Sequence, residues 1–367
     1  MQVLTAKHAD ATHERHIHTD IFAWLPNVVR QDVLEAEQTL SEPFESVKSI
    51  IMRCTLLPRA PCCLHPLKAC PRAKVDFGGT GTICKEWSLL GTMKRENGQF
   101  AKILLTWVKL VLTDEVAIVV HENTKLFDPK VIVPLFDEHY IWIPIDNVCP
   151  EHAGVYSMGR PRRVDIFLHK RKVHILSDIP QQFEWLSQKL QAISVGPQEL
   201  FFEEDQAELL YELSQSGRLE GKPLPLGSNW ADFLSDFEQQ NLKVYCERWE
   251  SIYGLSADVD ARAVFALAQS GTDRPTMANA AGRLPTFTAS GTRRLMKPSI
   301  GRWATAKEKM SAMLFAVTAE TAASANVSIF DYRLCSNPHG QIGNSMHVGA
   351  FAVLNMALLA SIKQVPH

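Results

Sequence analysis

Two clusters of basic residues carry the strongest chemical signal in this 367-residue sequence. The first cluster consists of Arg160, Arg162, Arg163, Lys170, Arg171 and Lys172, and the second of Arg293, Arg294, Lys297 and Arg302. A planar guanidinium can hold two phosphate oxygens, and neighbouring aromatic side chains can stack on unpaired bases. The spacings typical of base-reading domains are missing from the sequence. The clusters therefore predict binding to the phosphate backbone of a nucleic acid without sequence readout.

The opposite charge is concentrated in one segment, residues 199–240, which has ten acidic and two basic residues. The net charge of the whole chain is only −2, so the total hides this contrast. Oppositely charged patches on two copies of a chain attract and orient each other. Pairing of the basic clusters with Glu203, Glu204 and Asp205 of another copy is thus an alternative to nucleic-acid binding, and both interpretations stay open.

Cysteine and histidine residues near the amino terminus are the nearest approach to a metal site. They are Cys54, Cys62, Cys63, His65, Cys70 and Cys84, preceded by His8, His13, His16 and His18. Structural zinc sites usually show two close ligands at each end of the motif, which this spacing lacks. We therefore expect the cysteines to be small apolar residues in a proline-rich loop and the histidines to be solvated, with no metal and no cofactor.

Catalytic motifs are incomplete. The glycine-rich segment 77–82 lacks the lysine of a phosphate-binding loop, and segment 343–347 has His347 where a nucleophile elbow needs glycine. These departures favour a protein that is not an enzyme. The alternative is an enzyme whose site is assembled from distant residues, with His339, Asn344, Cys84 and the carboxylates of the β-rich region as candidates.

Three regions of different character must position these residues. Residues 1–98 are irregular and rich in proline, cysteine and histidine, residues 99–178 are β-rich, and residues 179–367 are helical and rich in alanine. Short β-branched or aromatic runs predict strands at 103–112, 116–120, 131–135, 140–145, 164–168 and 173–176. Short connections favour antiparallel pairing, and the last two runs suggest a hairpin with a cationic tip at 169–172.

Apolar residues at helical spacing predict helices elsewhere. Residues 31–40 favour a short helix, and Trp230, Phe233, Leu234 and Phe237 form a stripe with Ser228 or Asn229 as N-cap. The same spacing recurs at Met310, Met313, Leu314 and Val317. The predicted fold class is α+β, with an antiparallel β-rich middle region and a predominantly helical carboxyl-terminal half.

Residues 346–362 form an apolar stretch without a formal charge. Its 17 residues are at the lower limit for crossing a bilayer, so a buried helix in a core or subunit interface is the favoured interpretation and a membrane anchor the alternative. The amino terminus lacks the apolar segment of a secretory signal. These features predict an intracellular, cytoplasmic protein with reduced thiols.

The function that combines these features is a self-assembling coat or nucleocapsid protein. Its partners would be many copies of itself and a nucleic acid, which we expect to be RNA rather than DNA. It would have no small-molecule substrate. If the source is viral, the chain would belong to the virion. The alternatives are the enzyme with a site assembled from scattered residues and a protein anchored to a membrane by residues 346–362.

Overall fold

The computed structural model describes residues 18, 20–82, 85–88, 92–154, 158–190, 197–215, 229–273, 275–288, 294–335 and 337–365. The first half contains α1 (Asn27–Thr39), α2 (Phe44–Arg53), β1 (Arg59–Cys62), β2 (His65–Pro71), β3 (Phe77–Gly81), α3 (Ala101–Asp114), β4 (Ile118–Thr124), α4 (Val133–Phe136), β5 (Tyr140–Val148), β6 (Arg162–His169) and β7 (Val173–Ile175). The second half contains α5 (Ile179–Leu190), α6 (Gln206–Ser214), α7 (Asp236–Tyr253), β8 (Phe265–Ala266), β9 (Leu295–Lys297), β10 (Arg302–Trp303), α8 (Ala306–Ala312), α9 (Ala319–Ser324), α10 (Pro338–Asn344), α11 (Val348–Ala360) and β11 (Ile362–Gln364). The predicted α+β class and the helix-rich carboxyl-terminal half are confirmed.

The chain divides into two compact units that are each built from separate stretches of sequence. We call one the sheet unit (Ala9–Val148, Pro161–Gln182 and Ala357–His367) and the other the helical unit (Met1–His8, Cys149–Arg160 and Phe183–Met356). The composition of the sequence predicts a different division, into residues 1–98, 99–178 and 179–367, and this division stays a prediction.

The main sheet of the sheet unit has four strands in the order β3-β4-β6-β5. Strands β3 and β4 are parallel, whereas β6 pairs antiparallel with both β4 and β5. A parallel pair needs a long crossover, and α3 supplies it between β3 and β4. The predicted antiparallel pairing therefore holds for β4, β5 and β6, whereas β3 is a parallel edge strand that was not predicted.

Helix α3 corrects the strand predicted at 103–112. Its buried residues include Leu104, Leu105, Val108 and Val111, which recur at helical spacing and pack into the two apolar cores of the sheet unit. A fourteen-residue element is also longer than a typical strand. The β-branched residues suggested a strand, but the packing of the apolar face of the helix outweighs their preference for strands.

Other elements of the sheet unit also differ from prediction. The run 131–135 forms a 3-10 turn and the short helix α4, where Pro134 lies in the first turn. Strand β7 follows the cationic tip as predicted, but it pairs with β11 and not with β6. The predicted strands at 116–120, 140–145 and 164–168 correspond to β4, β5 and β6.

The core of the helical unit is formed by large aromatic side chains. Trp249, Trp303, Phe265 and Phe287 are fully buried in it. The side chain of Asn229 caps a 3-10 turn at Trp230–Phe233, as the sequence predicts, and Ser235 then caps α7. Phe237 belongs to this second helix and is exposed, because the cap at Ser235 resets the helical phase and ends the predicted stripe.

The apolar stretch at the carboxyl end contains α11, of which Val353, Leu354, Ala357 and Leu358 are buried. Met356 and Leu359 are exposed. By length and composition alone, the helical stretch Pro338–Ala360 is long and apolar enough to cross a membrane, and it is partly buried within the chain. Core helices pass the same test, so the predicted buried helix and the anchor both stay predictions.

Candidate active site at the carboxyl ends of β3 and β4

The parallel strands β3 and β4 end at the same edge of the main sheet. Gly81 pairs with Glu122 at the last position of the parallel register, and Thr82 and Asn123 follow in the two strands. In sheets with parallel strands, ligands bind preferentially outside the carboxyl ends of those strands. This edge is therefore where the fold would position a functional group.

An ion pair between Glu122 and Arg162 lies at this edge. Oε1 of Glu122 is 2.7 Å from Nε of Arg162, and both side chains are largely buried. Antiparallel pairing of β4 with β6 brings the two residues together from positions 40 apart in sequence. Arg162 also donates to the carbonyl oxygen of Pro161, 3.2 Å away. A largely buried carboxylate and a guanidinium thus stand side by side at this edge of the sheet.

Thr82, His121 and Asn123 form a hydrogen-bonded chain on the face of β4 opposite to Glu122, because successive side chains of a strand alternate between its two faces. The hydroxyl of Thr82 lies 2.7 Å from Nε2 of His121 and accepts from Nδ2 of Asn123 at 2.9 Å. The His121 ring is fully buried and stacks on Trp107, with ring centroids 5.1 Å apart. Burial, and secondarily the charge of Arg163, lowers the pKa of His121 to about 3. His121 is therefore neutral, and Nε2 accepts the hydroxyl proton of Thr82.

A small cleft of about 20 Å³ lies next to these three residues, and neither Glu122 nor Arg162 lines it. Its lining includes Thr82 and Asn123 together with Glu86, Trp87 and Phe127. Glu86 is buried and accepts a hydrogen bond from the hydroxyl of Thr92. The cleft combines apolar walls with a few polar groups, which is the usual composition of a small-molecule or cofactor site.

The buried His121 predicts a pH dependence of stability. The folded state keeps this ring neutral down to about pH 3, whereas the unfolded chain takes up a proton below about pH 6.5. Stability present above pH 6.5 is therefore lost as the pH falls, by up to about 1.4 kcal/mol per pH unit from this one group. We expect His121→Phe to remove the contribution of His121 from the dependence of the unfolding free energy on pH. Urea denaturation between about pH 7.5 and 5, the range in which histidine titrates, measures this dependence.

His174→Gln is the matched control because His174 is exposed. It should leave the slope at the wild-type value. A His121→Phe variant with the wild-type slope would contradict the assignment of the proton to His121.

The first basic cluster is largely satisfied within the chain. Arg160 is 2% exposed and donates to the carbonyl oxygens of Phe287, Gly343 and Ser345 at 2.7, 2.9 and 2.6 Å. Arg163 donates to the buried carboxylate of Asp165 at 3.0 Å. Both arginines therefore have intramolecular acceptors in the positions that phosphate oxygens would occupy.

The cationic tip after β6 is also paired. The ammonium groups of Lys170 and Lys172 donate to the carbonyl oxygens of Asp137 and Glu115 at 2.5 and 2.6 Å. Arg171 is more exposed and lies 3.2 Å from the carboxylate of Glu115. These three residues form a small solvent-facing group next to one acidic residue.

The second basic cluster lies in the core of the helical unit. Both terminal nitrogens of Arg302 donate to the carboxylate of Glu308, at 2.7 and 2.9 Å, and Glu308 is fully buried. Arg294 is buried with its guanidinium 4.5 Å from the ring centroid of Trp303, and Lys297 is buried near Phe201. Arg293 lies outside the described residues.

The coat or nucleocapsid function is wrong. It required arginines at the surface to meet phosphates, but Arg160, Arg294 and Arg302 are buried and Arg163 is paired with Asp165. Of the three acidic residues that were to pair with another copy, Glu203 instead pairs within its own unit, since Lys307 lies 2.6 Å from it. The capsid and virion roles therefore lose their physical basis, and self-association stays a prediction. A nucleic-acid role for the residues of the two clusters stays a prediction.

Among the candidates for an enzymatic site, His339 lies in a buried chain of polar groups. It accepts from the ammonium of Lys309 at Nδ1, 2.7 Å away, and lies 2.9 Å from Glu212 through Nε2. Burial, followed by the charge of Lys309, lowers the pKa of His339, so the ring is a neutral bridge between a cation and a carboxylate. Asn344 ends α10, and Cys84 lies outside the described residues.

The sequence analysis did not single out Glu122, Thr82, His121 or Asn123. The segment 121–124 has a signal that could have been used, because its polar side chains directly follow the buried apolar residues 118–120 within β4. Glu122 falls only under the general mention of carboxylates in the β-rich region. Its partnership with Arg162 becomes visible once β4 and β6 are known to pair.

Comparisons with known proteins place few limits on the function. No family model matches the sequence, and the search of curated proteins gives no match. Among solved structures, the chain is similar to a candidate DNA modification methyltransferase encoded within a prophage (E. coli). The sequence identity is 14%, the match covers 79% of this chain and 80% of the other, and the TM-score is 0.38. A match at this score gives the coat function no support and does not by itself assign an activity.

Proposed function

We propose that the chain is an enzyme that modifies a pyrimidine base of a nucleic acid, with its active site at the carboxyl ends of β3 and β4. The observation that carries this proposal is the Glu122–Arg162 pair, which stands at this edge of the sheet. On the other face of the sheet, the hydrogen bonds of Thr82 with His121 and Asn123 fix the ends of β3 and β4, of which β4 carries Glu122.

The pair fits the hydrogen-bonding edge of cytosine. This edge has an exocyclic amine that donates, next to a ring nitrogen and a carbonyl oxygen that accept. A carboxylate can accept from the amine, and a guanidinium with five N–H donors can reach the carbonyl oxygen while it still holds the carboxylate. Enzymes that act on a base take it out of the stack and read this edge in a pocket.

Cys84 is the nucleophile that we propose for the reaction. Its assignment uses its place in the sequence, two residues after Thr82 and one before Lys85. A thiolate is the strongest nucleophile among ordinary side chains. Its lone pair would form a bond to C6 of the pyrimidine, and the C5=C6 electron pair would move to C5 with negative charge spread towards the ring carbonyl. Arg162 would stabilise that charge.

The carbanion at C5 can then take up an electrophile. A proton from water gives hydrogen exchange: loss of the original C5 proton and departure of the thiolate restore the base. A methyl group from a methyl donor would replace that hydrogen in the same way.

Exchange at C5 tests the function without a donor. The full chain is incubated with DNA that contains cytosine tritiated at C5, and tritium released into water is counted. We expect release above the uncatalysed rate, and about 100-fold less with Glu122→Gln, because a neutral amide accepts more weakly than a carboxylate and no longer pairs with the charge of Arg162.

Glu138→Gln is the control, since Glu138 is an exposed carboxylate two residues before β5 and lies next to His139 rather than Arg162. It should exchange at the wild-type rate. No release by the folded wild-type chain from either single-stranded or duplex DNA would refute the proposed function.

A further inference from the structure

Cys62, His65 and Cys70 converge at the hairpin formed by β1 and β2. Ala60 pairs with Cys70 and Cys62 pairs with His65, and the register shifts after Pro61. In a regular hairpin the partner of Cys62 would lie three positions further along β2. The bulge thus brings the imidazole opposite Cys62 and next to Cys70. Bulges often serve to re-aim a side chain in this way.

The distances among the three side chains match the size of a metal ion. Sγ of Cys62 and Sγ of Cys70 lie 3.5 and 3.2 Å from Nδ1 of His65, and the three ligand atoms lie within 4.8 Å of one another. Tetrahedral zinc with sulfur at about 2.3 Å and nitrogen at about 2.0 Å separates these atoms by about 3.6 Å. A small shift would therefore place all three atoms around one ion.

Hydrogen bonding alone explains this arrangement poorly. Nδ1 of a neutral imidazole has either one proton or one lone pair, so it makes one good hydrogen bond. Two sulfur atoms approach the same nitrogen in this hairpin, and both cysteines are buried, with 4% and 2% of their surface exposed. A cation between the three atoms would bond to both sulfurs and to the nitrogen at once.

We propose that Cys62, His65 and Cys70 bind a zinc ion. Two thiolates and an imidazole are the soft and intermediate ligands that zinc prefers, and two thiolates neutralise its charge, which suits a buried place. With three protein ligands, a water molecule or another side chain completes the tetrahedron. The sequence predicted apolar packing for these residues because the spacing lacks paired knuckles, whereas the bulge brings the ligands together without them.

The ion would stabilise the hairpin that precedes β3. A two-stranded hairpin is marginally stable in water, and the free energy of metal binding adds to that of folding. Ala60 of β1 packs into the apolar core formed with α1, α2 and α3. Zinc would therefore hold β1 and β2 against that core, independently of the chemistry proposed for Glu122 and Cys84.

Metal content of the full chain tests the site. The chain is purified under reducing conditions, and zinc is measured by mass spectrometry before and after a mercurial blocks the thiols. We expect about one zinc per chain, consistent with a three-residue site, released by the mercurial. Cobalt(II) added to the metal-free chain should give the intense thiolate charge-transfer and tetrahedral d–d bands of such a site.

Cys62→Ser and Cys70→Ser should each weaken zinc binding by more than about 100-fold, since even partners outside the ligand set are worth 10- to 100-fold. Cys246→Ser is the control, because Cys246 lies on α7 in the helical unit. Wild-type zinc content in Cys62→Ser would overturn the proposal. So would a wild-type chain that contains no zinc and gives no cobalt bands, or a Cys62–Cys70 disulfide that persists under these conditions. If the serine variants do not fold, the cobalt spectrum of the wild-type chain decides.

Discussion

Cys84→Ser should abolish the release of tritium from C5-labelled cytosine, with a loss of at least about 1,000-fold. A serine hydroxyl has a far higher pKa than a thiol, so at neutral pH it is not an effective nucleophile unless a base activates it. The Glu122–Arg162 pair would still hold the base, because its atoms are separate from the reacting sulfur. This variant should therefore still bind DNA while it no longer catalyses the exchange.

The measurement combines initial exchange rates with DNA binding by fluorescence anisotropy. Cys63→Ser is the matched control, since it removes a thiol from the turn between β1 and β2 and should leave the exchange rate unchanged. Exchange at the wild-type rate by Cys84→Ser would exclude Cys84 as the nucleophile. An equal loss in both variants would show that the serines disturb the fold rather than the reaction.

Elements that are stabilised by contacts between residues close in sequence were predictable from short sequence patterns. Asn229 is a good example, because a side chain that caps the next turn acts within three residues. Strands β5 and β6 were predictable from their β-branched runs. Helix α3 was predictable in principle, since its buried positions follow the helical period, but a rule based on β-branched content alone gives a strand.

Contacts between residues that are distant in sequence were not predictable. Both the error in the predicted function and the missed candidate site come from such contacts. The clusters of positive charge at 160–174 and 293–302 suggest exposed patches when the sequence is considered alone. Arg160 instead meets carbonyl groups more than 120 residues away in sequence. The candidate active site has the same origin, because Glu122 and Arg162 become neighbours through the pairing of β4 with β6.

Arg302→Ala should destabilise the chain by about 3–5 kcal/mol, the usual result of removing one partner of a buried ion pair. Arg302 and Glu308 form two hydrogen bonds, and Arg302 also donates to the carbonyl oxygen of Glu203 at 3.1 Å. Glu308 further accepts from the backbone nitrogens of Glu203 and Thr305, so its charge is held in place when the arginine is lost. The uncompensated carboxylate is the main source of the cost.

Urea denaturation followed by tryptophan fluorescence measures this loss, since Trp303 is next to Arg302 and fully buried. Lys243→Ala is the control, because Lys243 and Glu247 form an exposed pair 4.0 Å apart whose removal should not shift the midpoint.

The double variant Arg302→Met with Glu308→Leu separates charge from packing. It should recover much of the lost stability, since apolar replacement of both partners of a buried pair is often neutral. A single variant as stable as the wild-type chain would contradict the buried pair and would return Arg302 to the surface, where a phosphate could reach it.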